Sequence, residues 1–126
     1  MGKKLVMGAL LALIFAAALI EYLYVAGAEQ RLGDALTRVE EALRDGDSGD
    51  ARQAARGFSA QWATEKQRLE ALFEHDEIDV ISAMTRRIEV YCGEDDAVNA
   101  LAEVTAAQFH VSHLREMTSV RWENIF

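Results

Sequence analysis

The stretch LVMGALLALIFAAALIEYLYVAGA, from Leu5 to Ala28, decides how this chain is organised. Its 24 residues contain a single charge, Glu21. As an α-helix it would extend about 36 Å, at about 1.5 Å per residue, which is enough to cross the hydrocarbon core of a bilayer. Tyr22 and Tyr24 near its end are residues that membrane interfaces favour. The stretch therefore predicts a transmembrane helix.

The residues on either side of this stretch predict its orientation. Lys3 and Lys4 precede it, and a positive flank favours the cytoplasmic side of a membrane. We therefore expect a single-pass protein of the cytoplasmic membrane, with the N-terminus inside and the rest of the chain outside. The alternative is a signal peptide cleaved after Ala28, because Ala26-Gly27-Ala28 fits the small-residue pattern of a cleavage site. The apolar run is longer than the usual apolar region of a signal peptide, so we favour an uncleaved anchor.

The composition of the 126-residue chain excludes several classes of protein. It has no proline, one cysteine and a net charge of −8. The absence of proline favours helices, and a single cysteine excludes a disulfide framework within the chain. The acidic balance argues against a nucleic-acid-binding protein, which needs a basic surface.

Beyond Ala28 apolar residues recur with helical periodicity in four segments. They predict an all-α fold, in which the N-terminal transmembrane helix is followed by an antiparallel bundle of about four helices. The predicted stripes consist of Leu32, Leu36, Val39 and Leu43; of Ala51, Ala55, Phe58, Trp62, Leu69 and Phe73; of Ile78, Ile81, Met84, Ile88 and Tyr91 or Cys92; and of Leu101, Val104, Val111 and Leu114.

Short polar and glycine-containing segments separate the predicted helices. Gly46 and Gly93 are expected to end the first and third helices of the bundle, and the second is expected to run to about Phe73. Candidate N-caps are Asp47, Ser48 and Asp50 for the second helix, Asp76 for the third, and Asp95 or Asp96 for the fourth.

These features divide the chain into four parts. Residues 1–4 form a cytoplasmic N-terminus, 5–28 the anchor in the lipid bilayer, 29–117 an extracytoplasmic bundle, and 118–126 an apolar C-terminal tail. An antiparallel bundle that rises from the membrane would bring the turn at 74–79 and the C-terminus back to the bilayer.

Several short motifs suggest a family. They are Lys3-Lys4 before the apolar stretch, Trp62 with Lys66 four residues on, His75 followed by Glu77-Ile78-Asp79, and the C-terminal Asn124-Ile125-Phe126. With these motifs the whole chain resembles a family of small bacterial proteins classified as domain of unknown function 4363. The family has no established activity. Its members accompany genes for small multi-helix membrane proteins, so the resemblance implies an accessory role beside such a partner. It also favours an uncleaved anchor in Gram-positive relatives.

The densest polar cluster is the predicted turn at 74–79. His75 with Glu77 or Asp79 offers the imidazole and carboxylate donors that divalent metals take. The same acids also suit the first turn of a helix, where the helix dipole favours negative charge. The segment supplies few ligands and does not match the EF-hand calcium loop, so we prefer a structural role.

His110 and His113 are a second candidate pair, three residues apart on one helix face. They could share a metal, or a His and a Met could ligate haem within the bundle. The chain carries no HExxH motif and no CxxCH haem-attachment motif, and two histidines alone are an incomplete ligand set. We therefore assign no metal and no cofactor.

Trp62, Glu65 and Lys66 interrupt the apolar stripe of the second bundle helix. Lys66 is expected to extend its ammonium group past Trp62 to solvent, or to pair with an acid of a neighbouring helix. A buried polar contact here would fix the register of the bundle, and the acidic turn is one candidate partner.

The C-terminal tail carries the clearest interaction signal. Trp122, Asn124, Ile125 and Phe126 combine apolar side chains with a free carboxylate, a pattern that suits either packing against the bundle or docking into a partner. Together with Trp62 and Lys66 they are the predicted interaction residues.

We find no acid/base or nucleophile arrangement and expect no enzymatic activity. The best hypothesis is a membrane-anchored, non-catalytic accessory subunit of a bacterial membrane complex, with a multi-helix membrane protein as partner. One alternative is a ligand-sensing ectodomain that acts through a partner subunit. The other is a secreted acidic bundle after cleavage at Ala28. Homo-oligomerisation stays open.

Overall fold

A computed structural model of the chain describes residues 1–117. Within them the chain forms four helices and no strand: α1 (Gly2–Arg44), α2 (Ser48–Leu69), α3 (His75–Gly93) and α4 (Ala97–Ser112). A further helical turn covers 114–117. The predicted all-α fold is confirmed. The tail at 118–126, with Trp122, Asn124, Ile125 and Phe126, lies outside the described residues.

Helix α1 joins the predicted anchor to the first bundle helix without a break. Its 43 residues extend about 65 Å at the usual rise per residue. The large apolar side chains as far as Leu23 are exposed, whereas Val25 and Ala28 are fully buried. The bundle core therefore begins inside the stretch 5–28, about one turn before its end.

The second half of α1 and the other three helices close into an antiparallel four-helix bundle. α1 packs against α2, α2 against α3, α3 against α4, and α4 against α1. The predicted stripes form the core. Within it the largest fully buried side chains include Phe58, Leu32, Leu36, Leu69, Ile78, Ile81 and Ile88, whereas Phe73, Tyr91 and Leu101 are only partly buried.

The connections between helices follow the sequence signals in part. Gly46 adopts a left-handed conformation (φ +75°) after the end of α1, and the Asp47 carboxylate accepts a hydrogen bond from the Asp50 amide to cap α2. Asp96 caps α4 in the same way, through the Asn99 amide. After α3 the left-handed residue is Asp95 (φ +58°), two positions beyond Gly93.

The α2–α3 connection differs from the prediction. Glu74 is the N-cap of α3 and makes no side-chain capping hydrogen bond. Asp76 lies in the first turn instead, where the helix dipole favours its negative charge. α2 ends at Leu69, four residues before the predicted end at Phe73, and the turn at 70–73 leads into α3. Neither glycine nor proline marks this boundary, so the sequence carries no local signal for it.

Antiparallel packing brings two segments to the same end of the bundle as Tyr24. The turn between α2 and α3 lies at this end, and so does the chain after α4, where the Arg115 Nε lies 3.9 Å from a Glu29 carboxylate oxygen. We call this end, where the exposed half of α1 enters the bundle, the junction.

Two phenylalanines of opposite exposure test the core. Phe58 is fully buried, and replacing it with alanine is expected to reduce the free energy of unfolding by about 3–5 kcal/mol, because a cavity remains. Phe109 is 60% exposed, so Phe109→Ala should cost about 0.5 kcal/mol. Urea unfolding of the full chain in mild detergent, followed by circular dichroism, measures both. Equal losses would contradict this packing.

Candidate functional site

A group of polar side chains lies at the junction between α1 and α2. We call it the junction cluster. Tyr24 and Arg31 are seven residues apart on α1, and Gln61 and Arg68 are also seven residues apart on α2, with Glu65 between them. A separation of seven residues returns to the same helix face, so each set faces the other helix.

The Glu65 carboxylate is the centre of the junction cluster. Its side chain is only 4% exposed. It accepts hydrogen bonds from the Tyr24 hydroxyl, from Arg31 Nε at 2.6 Å and from Gln61 Nε2 at 2.9 Å. A buried carboxylate is costly unless its oxygens are paired, and here both oxygens have partners.

The hydrogen bonds decide the ionisation of Glu65. Burial by itself raises the pKa of this carboxyl group, but the hydrogen bonds from Arg31, Tyr24 and Gln61 and the charge of Arg31 outweigh burial and hold the pKa below its ordinary value. Glu65 is therefore ionised in the folded protein at neutral pH. It forms an ion pair with Arg31 between the two helices.

Two guanidinium groups lie near the ring of Tyr24. The Cζ atoms of Arg31 and Arg68 are 5.9 and 5.6 Å from the ring centroid, within the range of cation–π attraction. Gly27 provides space for the Arg31 side chain, because a Cβ atom at position 27 would lie 3.0 Å from Nη1 of Arg31. Within residues 1–117 Arg68 has no carboxylate at ion-pair distance, so the junction cluster carries one more positive than negative charge.

The buried polar contact expected near Trp62 exists, but with different partners. Glu65 rather than Lys66 forms it, and it reaches α1 rather than the acidic turn. Lys66 pairs with Glu70 on its own helix, at 3.6 Å. Trp62 is 4% exposed and donates a 3.0 Å hydrogen bond to Ser82 of α3, so it contributes to packing between helices.

The candidate metal ligands considered from the sequence lie at the start of α3 and at the end of α4. His75 and Asp79 are exposed at the start of α3, and Glu77 is partly buried. His113 donates from Nδ1 to the Phe109 carbonyl oxygen at 2.8 Å, and His110 meets the edge of the Phe109 ring. No group of three potential ligands close enough to hold a metal occurs among residues 1–117.

A groove of about 670 Å³ extends from the junction cluster along α1 and α2. Arg31, Asp34 and Arg38 line it on α1, and Gln53, Gly57 and Gln61 on α2. Sequence reasoning missed this groove, because it depends on small residues of two helices facing each other.

Comparison with known families identifies where the chain belongs. The family described as "Domain of unknown function (DUF4363)" matches residues 19–125. The chain belongs to this family. The match begins within the exposed half of α1 and includes every residue of the junction cluster, which confirms the resemblance found from the sequence motifs. Searches of curated proteins and of solved structures find no match.

A pair of glutamate variants tests the junction cluster. Glu65→Gln removes the charge that binds Arg31 and should reduce the free energy of unfolding by about 1–3 kcal/mol. Glu70→Gln removes the acid of an exposed pair five residues away on α2 and should cost under about 0.5 kcal/mol. Urea unfolding of the full chain in detergent measures the two values, and a larger loss for Glu70→Gln would contradict a structural role for Glu65.

The lowered pKa of Glu65 predicts how the free energy of unfolding changes with pH. Since the folded-state pKa is below the ordinary value of 4.5, the ionised carboxylate stabilises the fold above that pH, and this contribution disappears as the pH falls through the folded-state pKa. The difference in free energy of unfolding between the native chain and Glu65→Gln should therefore be constant at neutral pH and shrink below about pH 4.5. The pKa of Glu40 is also lowered, by hydrogen bonds from Gln108 and Arg44. Its pH-dependent contribution to the free energy of unfolding is the same in both proteins and cancels in the difference. A difference that grows on acidification would exclude this ionisation.

Proposed function

We propose that this protein is a membrane-anchored, non-catalytic accessory subunit of a bacterial membrane complex. The apolar half of α1 spans the cytoplasmic membrane, the N-terminus lies inside, and the bundle lies outside. In this role the bundle binds a multi-helix membrane protein and holds it in a defined orientation.

The single observation that carries the proposal is the exposure of the apolar half of α1. Its most apolar 18-residue window has a mean hydropathy of 2.3, and none of it is buried in the protein. A core helix of similar composition would be covered by other helices. From Leu5 to Leu23 the segment extends about 28 Å, close to the roughly 30 Å hydrocarbon core of a bilayer. Lipid is therefore the environment that this segment fits best.

The packing of α1 favours an anchor over a cleaved signal peptide. Cleavage after Ala28 would remove Val25 and Ala28, which are fully buried, and Tyr24, which donates a hydrogen bond to Glu65. Losing Val25 alone would cost about 1.5–3 kcal/mol of apolar burial. The released bundle would then be less stable than the anchored one.

A partner within the membrane is supported by the family resemblance and by the shape of the chain. One continuous helix joins the exposed apolar half of α1 to the bundle core, so a partner that binds the bundle would also lie beside the membrane-spanning half. The predicted interaction residues Trp122, Asn124, Ile125 and Phe126 lie outside the described residues and stay a prediction.

The groove beside the junction cluster favours a second candidate function, a ligand-sensing ectodomain that acts through a partner subunit. Its volume of about 670 Å³ lies in the range of small-molecule sites. Arginines 31 and 38 with Asp34 give it mixed charge. A saturable rise in the unfolding temperature of the full chain with a small polar molecule would support sensing over a purely accessory role.

Membrane extraction tests the anchor. We expect the protein from its native host to stay in the membrane pellet after a carbonate wash and to have its full-length mass, because about 28 Å of apolar helix is inserted. A species that begins at Glu29 in the soluble fraction would contradict the anchor. The protein would then be a free acidic bundle.

Deletion of 124–126 tests the predicted docking tail. The full chain, cross-linked in native membranes, should capture a multi-helix membrane protein, and the deletion should reduce this capture severalfold, because the apolar side chains of Ile125 and Phe126 are lost. Phe109→Ala is a matched control that removes an exposed aromatic residue elsewhere. Undiminished capture by the deletion variant would exclude the tail as the docking element.

A further inference from the structure

We propose that Arg68 and Arg31 at the junction bind the phosphate of an anionic phospholipid headgroup, which fixes the height and rotation of the bundle on the membrane. This inference rests on the proposed membrane anchor and adds to it a specific lipid class and a binding site.

The first argument is position. Tyr24 follows directly after Leu23, the last large apolar side chain of α1 that is exposed. If the segment from Leu5 to Leu23 fills the hydrocarbon core, Tyr24 lies at the level of the headgroups, where tyrosine is favoured. Arg68 is within cation–π distance of the Tyr24 ring and so lies at the same level. Arg31 begins about two turns further out, but its guanidinium group also reaches this ring.

The second argument is charge. Glu65 accepts a hydrogen bond from Arg31 Nε and neutralises that arginine. Arg68 has no carboxylate at ion-pair distance among the described residues, although the chain as a whole is acidic. Two other cations near the junction have acids of their own, since Lys66 pairs with Glu70 and Arg115 faces Glu29. The junction cluster itself therefore carries one excess positive charge, on Arg68, while the acids Glu74, Asp76 and Glu77 lie at the start of α3.

The third argument is chemistry. A guanidinium group forms two parallel hydrogen bonds with phosphate oxygens, and such charge-assisted bonds are among the stronger polar contacts in proteins. Arg31 donates from Nε to Glu65, which holds the group in place while the side chain stays 47% exposed. The Cζ atoms of Arg31 and Arg68 lie 5.9 and 5.6 Å from the centroid of the same Tyr24 ring. The result is a pair of positioned donors at the height of lipid phosphates.

The site would not take a free anion equally well. Half-exposed arginines beside solvent hold a small phosphate weakly, because water competes for the same donors. A lipid phosphate is already concentrated at the membrane surface, and its acyl chains insert beside the apolar half of α1. The shared chemistry is phosphate recognition, but the location favours the lipid as its source.

Lipid titration of the full chain in neutral detergent tests the proposal, with binding measured by native mass spectrometry. Phosphatidylglycerol should bind more tightly than phosphatidylcholine. Arg68→Gln should weaken the binding of phosphatidylglycerol about fivefold, the effect of one basic residue near an anionic lipid surface. Arg68→Lys, which keeps the charge but loses the paired donors of the guanidinium group, should retain only part of the affinity. Arg56→Gln is the matched control, because Arg56 is an exposed arginine on the same helix about 18 Å further from the junction.

The outcomes separate the possible failures. Equal binding of phosphatidylglycerol by the native chain and by Arg68→Gln would overturn this inference, and so would equal losses in Arg68→Gln and Arg56→Gln. Binding of inorganic phosphate with the affinity of the lipid would also overturn it, in favour of a site for a free anion. Carbonate extraction of the same proteins tests the membrane anchor independently of lipid binding. Release of the native chain would overturn the anchor itself, whereas retention without lipid preference would overturn only the headgroup site.

Discussion

A carboxylate placed between two helices has to be compensated where it lies, and this requirement organises the junction. Glu65 is almost completely buried, so its oxygens depend on donors from the protein rather than from water. Tyr24 and Arg31 supply two of those donors from α1, and Gln61 supplies one from α2. A shift of α1 by one turn would separate these groups and leave a buried charge unpaired. The ion pair therefore sets the register of α1 on α2, although its net contribution to stability is modest.

The continuity of α1 transmits that register to the exposed apolar segment. One helix carries the exposed side chains as far as Leu23 and the core residues from Val25 onward, without a glycine-rich or proline-containing hinge between them. A straight helix has few ways to bend without such a break. The orientation of the bundle relative to the apolar segment is thus a property of the helix itself. In a membrane, any partner would meet both parts in one fixed arrangement.

Polar contacts at the other interfaces have a similar but weaker role. Arg87 pairs with Glu103 between α3 and α4 at 2.9 Å, and Gln108 donates to Glu40 between α4 and α1 at 3.3 Å. Exposed pairs of this kind contribute little free energy individually. They add directional preference to a core of aliphatic side chains that could otherwise slide, because dispersion and burial have no direction. The closed order of four helices follows from the combination of short connections with these contacts.

The sequence by itself determined the all-α fold, the apolar segment and nearly all core residues, because helical periodicity and hydrophobicity are local properties. The caps at Asp47 and Asp96 could be predicted as well, since a cap depends on a side chain and an amide three residues apart. The junction cluster could be predicted only in part. The stripe through Phe58, Trp62 and Leu69 passes through position 65 and not position 66, yet the spacing of Trp62 and Lys66 in the sequence favoured Lys66 as an interaction residue.

Only the tertiary structure decided that Glu65 binds Arg31 and Tyr24, that α1 is unbroken across the predicted boundary at Ala28, and that Arg68 stands beside the same ring. Each of these facts depends on how α1 and α2 are aligned, 41 residues apart in the chain for Tyr24 and Glu65. Alignment of this kind is set by the balance of packing and charge across an interface. No short stretch of sequence contains that balance.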